Sequence, residues 1–163
     1  MKTERIQYLL EVALFMRGYF LLLLLIISIS SLSAQQVSLY DRQGRVSAYI
    51  DYTQERTIFM WNGTPVAFME KDGKDLAIFG LMLFFLGWYA DGVIYDKAGF
   101  IVGVEKEVEG ALSIPINVKV EPIKGVQKVT PVYPVTPITP FQPILRSSWS
   151  DTTLSDFLYV GKK

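Results

Sequence analysis

Hydrophobic and polar positions alternate in short runs between Val37 and Val104, and the runs recur as one unit written four times. The clearest copy spans 37–51, where Val46, Ala48 and Ile50 alternate with Ser47, Tyr49 and Asp51, the period of two that marks a strand with one buried face. Further copies run over 58–70, 78–89 and 93–104. Each predicts a strand, a turn and a strand, rich in the Val, Ile, Tyr, Phe and Trp that suit a pleated surface. The turn chemistry agrees. Asp41–Gly44 and Asp96–Gly99 start on Asp and end on Gly, and Asn62-Gly63 is a strong hairpin signal. Connectors of hairpin length are expected at Tyr52–Arg56, Lys71–Asp75 and Ala90–Gly92. A small residue follows each turn glycine at a fixed distance: Ala48 after Gly44, Ala67 after Gly63, Gly103 after Gly99. The third copy keeps the small residue, Gly87, but carries Leu83 where the turn glycine belongs.

One hairpin is marginal in water, so these units must share a core. The expected fold class is all-β: four β-hairpin repeats in a small closed or near-closed barrel with pseudo-four-fold symmetry, which also hides the strand edges. An open sandwich explains the alternation but not the regular small residues. Those residues are expected where strands converge, with Tyr49, Phe68, Trp88 and Val104 filling the opposite face.

Outside the repeats two other patterns stand out. Gly18–Ala34 is an apolar run ending in small residues, which reads as an export signal cleaved after Ala34 or as an uncleaved anchor extended by Leu9–Phe15. Met16-Arg17 makes a more ordinary signal start than Met1. From Pro122 the chain keeps a three-residue period, the repeat of a polyproline II helix. Pro122, Gly125 and Lys128 begin one phase, Ile123, Val126 and Val129 an apolar phase, and Glu121, Lys124 and Gln127 a polar one. That apolar ridge is expected to lie on the β domain, on an oligomer mate or in a partner's groove. At the end a short docking helix is predicted, capped by Thr153 with Asp156 and buried through Leu154, Phe157 and Leu158. The expected organisation is a signal segment 1–34, a four-hairpin β domain 35–111, a Pro-rich extended tail 112–145 and a docking helix 146–163.

Leu39-Tyr40-Asp41-Arg42-Gln43-Gly44, Trp61–Ala67, Leu86–Tyr89, Asp91–Asp96 and Gly99–Gly103 together resemble the four-fold β-flower domain of exported bacterial proteins common in Bacteroidetes. The resemblance extends to a Pro-rich tail ending in Ser148-Trp149-Ser150. It implies a shallow barrel with pseudo-four-fold symmetry and carries no catalytic residue and no ligand.

Composition narrows the chemistry. The 16 basic and 16 acidic residues balance, leaving no net field to draw in nucleic acid or an anionic membrane. There is no cysteine and no histidine, which removes disulfides, thiolate metal sites and the commonest general base. An enzyme would have to rely on carboxylates such as Asp41 and Asp96, both at turn-starting positions. Glu105, Glu107 and Glu109 make a weak cation site at best, and Lys71–Asp75 lacks the downstream ligands of a calcium loop. No cofactor is expected. The leading expectation is a non-catalytic envelope or secreted module, in the periplasm, the cell envelope or outside the cell, acting by contact with a protein partner or itself. Its candidate surface is Leu81, Met82, Leu83, Phe84 and Phe85 of the third tip with Val132, Val135, Ile138 and Phe141 of the ridge. Burial under the tail or in a protomer contact is the plainer explanation of that tip; a wedge into a lipid or protein surface is the sharper one. A small-ligand binder stacking a sugar or lipid on Tyr40, Tyr49, Trp61, Trp88 and Tyr95 is the alternative, although these aromatics also suit a core.

Overall fold

The computed structural model describes residues 16–17, 36–106, 108, 119–130 and 137–160. The chain divides into two compact units, Met1–Gln35 and Gln36–Lys163. Nearly all of the signal segment lies outside the described residues, as do Glu107, Glu109, Val132, Val135 and the first part of the predicted tail. No helix among the described residues is long and apolar enough to cross a membrane.

The second unit is a closed antiparallel barrel of eight strands in sequence order. They are β1 (Gln36–Tyr40), β2 (Val46–Asp51), β3 (Thr57–Met60), β4 (Pro65–Asp72), β5 (Asp75–Gly80), β6 (Phe85–Ala90), β7 (Val93–Asp96) and β8 (Ile101–Glu105). Pairing of Leu39 with Glu105 and of Tyr40 with Val104 joins the first strand to the last and closes the ring. Two connectors are tighter than the sequence indicates, because β4 runs on to Asp72 and pairs it with Asp75. Only Gly73-Lys74 turns the chain there, with φ +62° at the glycine, as a Gly-first two-residue hairpin requires. Asp91 and Gly92 both take positive φ (49° and 80°) between the paired Ala90 and Val93, the geometry of a type I′ turn.

The four hairpin tips repeat one hydrogen-bond pattern. The N–H of Gly44, Gly63, Leu83 and Gly99 donates to the carbonyl three residues back, on Asp41, Met60, Gly80 and Asp96, at 2.8–3.0 Å. Leu83 therefore occupies the glycine position of the third tip with φ +64°, a left-handed conformation that costs a non-glycine residue about 1–2 kcal/mol. Each hairpin also carries one register shift, after Leu39, Ile58, Ile78 and Ile94, opposite the stretch that holds the small residue. A bulge of this kind turns an extra side chain towards the same face as its neighbour and sharpens the bend of the strand. Val66, Leu86 and Val102 enter the core in this way, and half-buried Ser47 is their polar counterpart in the first hairpin.

A short helix, α1 (Leu154–Val160), explains the small residues. It touches β2, β4, β6 and β8, every second strand, which places it at the mouth of the barrel with its buried face on the interior. Leu154, Phe157 and Leu158 join one core cluster with Leu39, Ile58, Ile78 and Ile94. A Cβ on Gly103 would meet Leu154 at 2.8 Å, and one on Gly87 would meet the Tyr95 carbonyl oxygen at 2.0 Å and Phe157 at 3.1 Å. At β6 close strand approach is part of the reason, as anticipated. At β8 the small residue makes room for the helix instead. The cap is the predicted one: the Asp156 N–H donates to Thr153 Oγ1 at 3.1 Å, and the Thr153 hydroxyl donates to the Asp156 carboxylate at 2.7 Å. The outward residues Phe68, Trp88 and Val104 form a second buried cluster with Tyr40, Phe79 and Tyr95, while Tyr49 stacks on Phe59 at 5.3 Å.

Candidate functional site: the hairpin tips and the segment that fastens them

Because the barrel is up-and-down, its four repeat tips lie at one end and the connectors at the other. The chain beyond β8 reaches those tips in order. The N–H of Lys119 donates to the carbonyl of Gly44 (2.8 Å), that of Lys128 to Gly63 (2.9 Å) and that of Arg146 to Gly99 (2.8 Å). The donors stand nine and then eighteen residues apart, so one nine-residue length of chain serves one tip, and residue 137 falls where the third donor belongs. That residue is Pro137, which has no N–H to give. The third hairpin thus departs twice from the pattern, with Leu83 at the turn and Pro137 in the fastening segment. Nine is three times the three-residue period seen in the sequence, and this is the signal that could have linked segment to hairpins in advance.

Between one fastening and the next, contacts are made by the polar phase, which reaches down the barrel wall towards the connectors. Tyr40 donates its hydroxyl to Glu121. Gln127 bonds both Asp51 (3.1 Å) and the Tyr49 hydroxyl (3.2 Å), and Thr130 bonds Gln54 (2.8 Å). Gln142 donates to Asp75 at 3.0 Å, which carries the segment past β5 of the third hairpin. Lys124 bonds Gln36 and sets its ammonium over the Tyr49 ring, 4.1 Å from the centroid, and over Trp61 at 5.0 Å. Gly63 and Gly125 allow the close approach, since a Cβ on Gly63 would lie 1.9 Å from the Val126 carbonyl oxygen. After Arg146, Ser148 and Ser150 bracket Ile101 with backbone bonds of 2.9 and 2.7 Å, and the chain turns into α1.

Electrostatics follow from these contacts. Burial, then the hydrogen bond and charge of Glu121, push the Tyr40 hydroxyl up to about 12. The same bond is the main reason the Glu121 carboxyl lies below its ordinary value. Burial works against ionising Asp51, yet hydrogen bonds from Thr53, Gln36 and Gln127 outweigh it and hold that carboxyl low. Burial, with the hydrogen bond to Glu105 next, drives the Tyr89 hydroxyl far above its usual range.

The apolar phase points away from the barrel. Ile123, Val126, Val129, Ile138, Phe141 and Ile144 are between 86% and 101% exposed. The expectation that this ridge packs on its own domain is corrected for these residues. The reason is that the outer wall of the barrel presents Tyr40, Tyr49, Asp51, Gln54 and Asp75, which demand hydrogen-bonding partners and so select the polar phase. At the third tip Leu81, Leu83 and Phe85 are half-buried, whereas Met82 and Phe84 are 60% and 61% exposed. Burial therefore accounts for only part of that apolar run.

The other sequence candidates are also placed. Tyr40, Tyr49, Trp88 and Tyr95 are buried, and Trp61 is half-buried with its indole N–H on the Pro122 carbonyl (3.1 Å). A ligand stacking on Tyr40, Tyr49 or Trp61 would have to lift residues 121–127 first. Asp41 accepts from the N–H of Gln43 and Arg45 and pairs with the Arg45 guanidinium at 2.8 Å; Asp96 accepts from Ala98 and Phe100. Both carboxylates are engaged in shaping their own turns. Among the described residues no group of three acidic side chains is placed to hold a metal.

No curated protein matches the chain. No solved structure matches it either. The family model described as 4-fold beta flower protein matches residues 37–158, from the first strand into the helix at the barrel mouth. The match covers most of the chain, the four hairpins of the closed barrel accord with the description, and the chain belongs to the 4-fold beta flower family.

Proposed function

We propose that this protein is a non-catalytic module of the cell envelope or the secreted space, exported through its apolar N-terminal run, which works by holding a contact surface towards another body. The observation that carries this reading is the orientation of the segment after the barrel. Its hydrogen-bonding residues are used on the barrel, and its Ile, Val and Phe side chains are left in solvent. Burying one such side chain is worth about 1.5–3 kcal/mol. Each of the six left outside forgoes at least as much stabilisation as one fastening hydrogen bond returns, at about 0.5–1.5 kcal/mol. A spacer of the same geometry would be served by polar residues at every one of these positions. The third hairpin adds Met82 and Phe84 to the same exposed set.

The test is a photo-crosslinking amino acid placed at Phe141, at Phe84, or at Lys74 in the opposite connector, in cells producing the full chain. Adducts are expected from positions 141 and 84 and not from 74. Silence at both 141 and 84 overturns the reading. Export is tested separately: the chain recovered outside the cytoplasm is expected to begin at Gln35 if the signal is cleaved, and recovery only from the cytoplasm overturns that part.

A further inference from the structure

We propose that the contact surface centred on the third hairpin docks on an anionic lipid bilayer; the inference rests on the contact reading above and names the partner. Four observations converge on one sector of the molecule. Met82 and Phe84 project from the tip that departs from the glycine pattern. Ile138 and Phe141, 93% and 101% exposed, lie on the length of chain that passes this hairpin, between the Gly63 fastening at Lys128 and the Gly99 fastening at Arg146.

Although the chain is balanced overall, the fastening segment itself is locally basic. In the described segment 119–130 and 137–148 the charged residues are Lys119, Lys124, Lys128 and Arg146 against Glu121 alone, and Glu121 is engaged by Tyr40. Lys128 and Arg146 are exposed on either side of the apolar sector. Beside it, a mainly apolar cleft of about 270 Å³ opens between Leu86 of the third hairpin, Ala98 of the fourth tip, and Phe157 and Val160 of α1, with Asp96, Lys97 and Thr152 also on its wall.

Separate aliphatic and aromatic side chains standing free, with cations around them, form the pattern of an interfacial anchor. Each inserts on its own into the acyl region while lysine and arginine meet anionic headgroups. A protein partner would need its own complementary socket for each projection. A fluid bilayer closes around all of them.

Because the chain has no cysteine, one cysteine can report on one place. The full-length protein is labelled with an environment-sensitive nitrobenzoxadiazole dye at Phe84→Cys, at Phe141→Cys and at Lys74→Cys. Each is mixed with vesicles of phosphatidylcholine alone or with phosphatidylglycerol added. The apolar N-terminal run is common to all variants, so the local response, not pelleting, is the readout. Severalfold brightening is expected at 84 and 141 on anionic vesicles, a smaller gain on neutral ones, and none at 74. Lys128→Glu with Arg146→Glu is expected to reduce the anionic response to the neutral level. Flat signals at 84 and 141 in protein that pellets with the vesicles overturn the inference, as does equal brightening at all three positions. If 84 and 141 stay dark with lipid but brighten with protein concentration while light scattering reports a dimer, the face belongs to a second copy. The lipid inference then falls and the contact reading stands.

Discussion

Single residues decide how tightly this fold can be drawn together, and its glycines separate two costs usually met together. Gly73 has φ +62° and open space around it, so Gly73→Ala carries only the left-handed strain, about 1–2 kcal/mol. Gly63 has φ +79° and a backbone oxygen 1.9 Å from its would-be Cβ, so Gly63→Ala adds displacement of residues 125–128 to that strain. Thermal unfolding is expected to rank Gly63→Ala well below Gly73→Ala, and equal losses would contradict the role given to the fastening segment. A second pair tests the plug. Gly87→Ala drives a methyl into the Tyr95 carbonyl at 2.0 Å, whereas Gly103→Ala meets only the movable end of Leu154 at 2.8 Å. The first should be much the more damaging. Turn chemistry was legible at this scale: Asp41, Asn62 and Asp96 accept from the turn backbone as their spacing predicted. Leu83 was visible as an exception, but only the closed barrel shows it held in the glycine conformation, because the three regular tips fix the geometry of the fourth.

Among the elements, α1 and the fastening segment carry the sharpest expectations. Leu154→Ala empties part of the barrel mouth and is expected to cost about 2–5 kcal/mol, the usual range for a buried leucine. Gly103→Ala in that background puts a methyl where Leu154 stood, so the double variant should recover part of the loss. A double-mutant cycle by chemical denaturation checks this, and strict additivity would place the helix elsewhere. At the third tip, Pro137→Lys supplies the missing N–H. Amide exchange at residue 137 is expected to slow towards that of Lys128, and free exchange there would mean the nine-residue register does not extend to this hairpin. The order and number of strands, the helix and its cap could all be read from residue spacing. The two-residue loops at Gly73-Lys74 and Asp91-Gly92 were read too long, because Lys71 and Asp72 at the first and Ala90 at the second remain paired in the strand.

For the molecule as a whole, attachment of the C-terminal segment should depend on pH at both extremes. Asp51 and Glu121 have carboxyls held below their ordinary 3.8 and 4.5. A depressed carboxyl gives stability that is present above the ordinary value and lost as pH falls through the lowered one. Tyr40 is raised from 10.0 to about 12, so its contribution is complete below 10.0 and disappears as pH rises through about 12. Protection of the Gly125 and Lys128 amides, their exchange rate taken relative to a free amide at the same pH, should therefore be high and level between these limits and fall beyond either. A fall in protection confined to neutral pH would contradict the assignment of Tyr40, Glu121 and Asp51 as the clasp.

By itself the sequence determined what short-range chemistry controls: where strands alternate, where turns need glycine or Asp, which residues cap the helix, and that four like hairpins must close on a common core. Tertiary structure alone decided which way the three-phase segment faces and what the small residues are for. A repeating pattern names its phases but not their partners. The polar phase turns inward because Tyr40, Tyr49, Asp51, Gln54 and Asp75, brought together only by ring closure, require hydrogen bonds. Ala48, Ala67, Gly87 and Gly103 lie on the strands that meet α1, a helix that starts fifty or more residues further along the chain.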